Sequence, residues 1–157
     1  MKVIDKRTIR GTLRNEQTMQ LVENMLSNIG YRVVDFRVFP EEVKDLDNLP
    51  GKYTAAKLTT IGEDFVTGSG APAPVNPDEF EFAKNSTVGM ACFVQGNQAN
   101  LIDSNMLITQ DLYITNMEED DKDNNQTNFV VVLEKLSINS DEQIMSLIQE
   151  NSQDMSG

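Results

Sequence analysis

Glu118, Glu119, Asp120 and Asp121 stand in an unbroken acidic run, followed by Lys122, Asp123, Asn124 and Asn125. Clustered carboxylates are how proteins hold calcium. Asp121, Asp123 and Asn125 match the D-x-D-x-N opening of an EF-hand loop, in which alternate residues aim oxygens at one ion. The match fails further on: Gln126 occupies the glycine position of the sharp turn, and Val132 stands where the bidentate glutamate belongs. The flanking residues also read as strands rather than helices. A solvated loop, opened by repulsion between its carboxylates, is therefore expected in preference to a weak divalent site, and no cofactor is implied.

Other catalytic chemistries find still less support. The chain contains no histidine, which removes the commonest general base and the commonest transition-metal ligand together. Glu41-Glu42 and Glu79-Glu81 are candidate acid/base pairs, but glycosidase chemistry needs two carboxyls at a set separation across a cleft, and no tryptophan is present as a sugar platform. Cys92 is the single cysteine and lies in Met90-Ala91-Cys92-Phe93, the setting of a small buried hydrophobe rather than a reactive thiol. Gly68-Ser69-Gly70 lacks the Gly-Lys-Ser/Thr and adjoining helix of a phosphate loop. The sequons at Asn85 and Asn125 follow no export signal and read as coincidences. The chain is expected not to be an enzyme.

Charge is the more informative property. Residues 1–57 hold ten of the thirteen Lys and Arg against eight acids, and residues 58–157 hold three against seventeen, so a weakly positive leading part adjoins a strongly acidic remainder in a net of −12. The excess is densest in residues 1–14, where Lys2, Lys6, Arg7, Arg10 and Arg14 face only Asp5. Such a division steers association with copies of the chain or with another acidic surface over a Debye length of roughly 8–10 Å. As a nucleic-acid arm the segment lacks interleaved aromatics for stacking, and the chain as a whole repels a polyanion, so nucleic acid is not the expected partner. An edge strand with outward charges, or an arm packed on an acidic neighbour, is expected instead. No apolar run is long enough to span a bilayer, so no membrane partner is expected, and synthesis in a reducing cytoplasm is.

The elements that position these residues read as one domain over 1–157, a length that buries about 70% of its extended-chain surface. Met19, Val22, Met25, Leu26 and Ile29 recur at helical spacing, and Gly30 follows as a stop, which predicts a helix over Asn15–Ile29. Alternation predicts strands over Tyr31–Phe39, Lys52–Ile61, Thr87–Gln95 and Asn105–Asn116, with a brief one at Phe80–Phe82. Residues 67–78, with Pro72, Pro74 and Pro77, form an extended loop or an arm laid over a neighbouring subunit. Asn128–Ile138 is apolar on both faces and is expected to be central and covered on both sides. It is expected to pair with 105–116 in an antiparallel hairpin whose acidic tip is 117–127. Ser140-Asp141-Glu142-Gln143 is a capping box opening a helix to about Ser152, and 153–157 is expected to fray. The fold class is mainly β: an antiparallel β-sandwich or jelly-roll-like domain with one N-terminal and one C-terminal helix. The alternative is an α+β single sheet with both helices on one face.

The stretches Arg32–Pro40 (RVVDFRVFP), Met106–Ile114 (MLITQDLYI) and Phe129–Glu134 (FVVVLE), the last running into a short acidic helix, resemble small virion structural proteins of bacteriophages. The resemblance implies a capsid decoration, cement or minor head or tail protein, assembled in the host cytoplasm into the virion, with other virion subunits as partners and a homo-oligomeric state. It carries over no functional residue. The contact residues expected from charge and loop composition are Lys6, Arg7, Arg10 and Arg14, the loop prolines Pro72, Pro74 and Pro77, and the acidic Glu118, Glu119, Asp120 and Asp121. The alternative function is an acidic binding module or inhibitor of a basic or nucleic-acid-binding partner.

Overall fold

A computed structural model of the chain describes residues 2–14, 17–23, 26–40, 53–60, 87–94, 97–116 and 126–139, and every element among them is a strand. They are β1 (Lys2–Leu13), β2 (Thr18–Glu23), β3 (Ile29–Pro40), β4 (Tyr53–Thr59), β5 (Thr87–Val94), β6 (Asn97–Ile102), β7 (Asp111–Asn116) and β8 (Thr127–Ser137). They form two antiparallel sheets, ordered β1-β8-β3 and β2-β7-β4-β5-β6. The architecture is a β-sandwich, which excludes the single-sheet alternative. The core lies between the sheets, with Val33, Phe36, Val38, Phe129, Val131 and Leu133 on one side. Ala56, Leu58, Ala91, Leu112 and Ile114 face them from the other.

The chain changes sheets at its corners. β1 leaves the three-stranded sheet at Leu13, and the Arg14 carbonyl accepts the Gln17 amide at 3.2 Å before β2 enters the other sheet. β1 pairs with β8, β2 with β7 and β4 with β5, a nested order in which first meets last. The remaining couple, β3 and β6, lie side by side without a ladder, joined where the Asn100 side-chain amide donates to the Phe36 carbonyl at 2.9 Å. Farther along the same edge of β3, Tyr31 and Ile108 exchange both backbone hydrogen bonds at 2.8 Å.

Several expectations are corrected here. The N-terminal helix is absent: Thr18–Glu23 is a strand, residues 27–28 turn, and Ile29 opens β3. A bulge explains the misleading period, because β2 gains one residue between Gln20 and Val22, bringing Met19 and Val22 to the same face although they are three apart. Gly30 is not a helix stop but lies inside β3, where Leu107 Cδ1 sits 2.7 Å from the position a Cβ would take. The 105–116 strand is shorter, since 103–110 is a turn followed by the single bridge at Ile108, and only Asp111–Asn116 forms a ladder. β7 and β8 do not make the expected hairpin, because they belong to different sheets. β8 is central as expected, yet its faces differ: Phe129, Val131 and Leu133 are buried, while Val130 and Val132 are only half-buried. Burial on both faces is found instead in β4, where Ala55, Lys57 and Thr59 are as inaccessible as Ala56 and Leu58, and in its neighbour β5 over residues 87–92. The Phe80–Phe82 strand, the C-terminal helix and the frayed 153–157 tail lie outside the described residues.

Candidate functional site

β1 is the edge strand of the three-stranded sheet, and Lys2 to Thr8 are exposed along its whole first half. Its charges divide by parity, as strand geometry requires. Lys6 and Arg10 lie on the outer face of the sheet, opposite Glu134 and Val130 of β8. Arg7 lies on the other side, opposite Leu133, and is exposed because the second sheet does not cover this part of β1. Arg14 falls beyond the strand with its side chain exposed, its amide donating to Gln17 Oε1 at 2.9 Å and its carbonyl accepting the Asn116 side-chain amide at 3.0 Å. The four basic residues expected to act together therefore occupy three places. Pro72, Pro74, Pro77, Glu118, Glu119, Asp120 and Asp121 lie outside the described residues, as do Glu41, Glu42, Glu79 and Glu81.

The structure instead brings in two arginines from β3. Arg32 is registered with Glu134, and Arg37 with Val130, so each β8 position is flanked by a cation on both neighbouring strands: Lys6-Glu134-Arg32 and Arg10-Val130-Arg37. Arg32 donates to Glu134 through Nε at 3.2 Å and through Nη2. Arg37 Nε stands 3.3 Å from Asp35, with its side chain 62% exposed. Lys6 and Arg10 have no ion pair with another described residue. Between the two cationic ridges run Val130 and Val132, with Phe39 exposed at one end and Asn128 accepting from Thr12 at 2.8 Å. Among the described residues four cations stand against two carboxylates on this face, a positive excess on a chain whose net is −12. The alternation of Arg32 and Arg37 with apolar residues marked them as outward-facing. What the sequence lacked was the register that places them across β8 from β1.

The acidic edge lies elsewhere, where Glu23 of β2 is registered with Asp111 of β7. Tyr113 donates to Asp111 Oδ2 at 3.4 Å, and desolvation, then the charges of Asp111 and Glu23, hold its hydroxyl above the usual tyrosine range. Among the described residues no three His, Cys, Asp or Glu are grouped to hold a metal. Cys92 is buried in β5, and no helix among them is long and apolar enough to cross a membrane. Among the described residues the β1 edge is exposed, and the outer sheet face beside it sets half-buried Val130 and Val132 between Lys6 and Arg10 on one side and Arg32 and Arg37 on the other.

Comparison of the chain with protein-family models, with curated proteins and with solved structures finds no match.

Proposed function

We propose that this chain is a structural assembly protein, a virion component of the decoration, cement or minor head or tail kind, that works through contacts between subunits and breaks no bond. The observation that carries this reading is the open, cationic edge strand β1 and the outer sheet face beside it, set on a strongly acidic chain. An unprotected edge is an association hazard unless something occupies or guards it, and charge on such a surface selects the occupant. The nested pairing of β1 with β8, β2 with β7 and β4 with β5, with β3 beside β6, supports a jelly-roll-like reading of the sandwich, an architecture shared by capsid proteins, lectins and cupins, although β6 ladders with β5 rather than with β3. Architecture alone does not assign a role, so the weight falls on the surface. The absence of histidine supports a role without acid/base chemistry.

Sedimentation velocity across protein concentration and rising salt tests this. Self-association or co-assembly with virion subunits, weakened by salt, is expected. A strict monomer, alone and with those subunits, overturns it. Selective association with DNA-processing enzymes instead would identify the chain as an acidic inhibitor.

A further inference from the structure

The geometry points to the outer face of the three-stranded sheet as the seat for an acidic stretch of a second copy of this chain, held between Arg10 and Arg37 over Val130. This rests on the assembly reading and names its contact. Arg10 and Arg37 are each registered with Val130 from opposite sides, so their backbones stand two inter-strand spacings apart, about 10 Å. That width admits one extended peptide lying over the valines with a guanidinium on each flank. Lys6 repeats the arrangement on one side at Glu134, four residues along β8, or roughly 13 Å away. Arg32 is already committed to Glu134, Arg37 is only loosely held by Asp35, and Lys6 and Arg10 have no ion pair with a described residue, so Lys6, Arg10 and Arg37 are the charges assigned to a partner. Arginine suits this task because its fork takes a carboxylate through two parallel hydrogen bonds.

Charge complementarity selects the occupant. Residues 58–157 carry seventeen acids against three bases, and their densest run is Glu118–Asp121. Two copies meeting through this same face would set Arg10 and Arg37 against their own equivalents, and two β1 edges pairing would oppose Lys6, Arg7 and Arg10. Both symmetric contacts are disfavoured by like charge. The contact is therefore heterologous, basic face to acidic run, and propagates into a ring or an extended array rather than stopping at a two-fold dimer. A nucleic-acid strand also carries negative charge, but it must approach a chain of net −12.

The test is a charge swap in the full chain, read by sedimentation across protein concentration at low salt. R10E/R37E, and separately E118K/E119K/D120K/D121K, are each expected to weaken self-association at least tenfold. One chain carrying both sets is expected to regain it. R10Q/R37Q serves if a reversal variant loses its β-sheet circular dichroism. Association of the wild type that none of the folded variants alters, or failure of the combined chain to recover, overturns this seat while leaving the assembly reading intact. A wild type that stays monomeric alone and with virion subunits overturns the assembly reading itself. Single-stranded DNA bound by the wild type and lost in R10Q/R37Q, measured by fluorescence anisotropy, overturns the seat in favour of nucleic acid. A difference in shape between R10E/R37E and the wild type that is independent of concentration assigns the acidic run to its own chain and overturns it as well.

Discussion

Gly11 of β1 lies directly opposite Phe129 of β8, and a Cβ added to it would stand 2.7 Å from the ring Cζ and 2.9 Å from Cε1. The ring occupies the space that any other residue would claim. Phe129 is 1% exposed and packed in the core, so it has nowhere to yield cheaply. The glycine thus fastens the edge strand to the central strand by letting an aromatic ring lie across the backbone, a device known from designed sheets.

Replacing Gly11 with Ala is expected to destabilise the fold by about 1–3 kcal/mol, the range for overpacking a filled core, and Val more than Ala. Urea denaturation reads the change. Phe129→Leu in the same chain is expected to recover part of the loss, because a smaller side chain vacates the ring's place. A Gly11→Ala chain as stable as the wild type would show that β1 is free to shift along β8.

The two faces of β8 differ by one residue of register, and a single isosteric change distinguishes them. Val131 is fully buried in the core, whereas Val130 is half-buried on the outer face between Arg10 and Arg37. Val131→Thr places a hydroxyl in the core and is expected to cost about 1–3 kcal/mol. Val130→Thr is expected to cost well under 1 kcal/mol in the isolated chain, because threonine suits a partly exposed strand. Equal costs in denaturant titrations would contradict the observed facing.

Tyr113 offers a pH prediction. The pKa of its hydroxyl is raised above the ordinary tyrosine value by desolvation and by the charges of Asp111 and Glu23. A raised tyrosine pKa means that the folded state favours the protonated phenol. The associated stabilisation is complete below the unfolded value and is lost as pH rises through the folded one. Asp111→Asn is expected to move the titration back toward the ordinary value without reaching it, since desolvation remains. Carbon-13 NMR of the tyrosine ring follows this residue apart from Tyr31 and Tyr53.

Much of the sandwich is legible in the residues, and what is not has identifiable physical reasons. β3, β4, β5 and β8 carry alternation dense enough in β-branched and aromatic residues to be found to within a few positions. β6 is Asn-Gln-Ala-Asn-Leu-Ile, almost wholly exposed, and so has no buried face to print a period. β2 reads as helix because its bulge sets Met19 and Val22 on one face at a spacing of three. Strand order is harder still. The polar connector after Asn116 looks like a hairpin tip, but chain proximity says nothing of which sheet each strand joins, and β7 and β8 join different ones. The candidate surface was half visible: Lys6 and Arg10 stood out through local charge density. Arg32 and Arg37 joined them only through pairing across residues about a hundred positions apart.

The two edges of the three-stranded sheet are treated unequally, and the difference is open to experiment. The far edge of β3 is closed by the Tyr31–Ile108 bridge and by the Asn100 amide on the Phe36 carbonyl. Among the described residues β1 is guarded only by its charges and by the register shift between Val3 and Asp5. Removing the Asn100 side chain leaves the part-buried Phe36 carbonyl without its side-chain donor, on an edge whose backbone bridge lies at Tyr31 and Ile108. Asn100→Ala is therefore expected to cost about 1 kcal/mol, the usual net worth of such a bond, and to speed amide exchange in β6 and around Phe36. It should leave exchange in β1 unchanged, because that edge never depended on Asn100. Uniformly faster exchange across both sheets would mean that the Asn100 bond supports the whole sandwich rather than closing one edge.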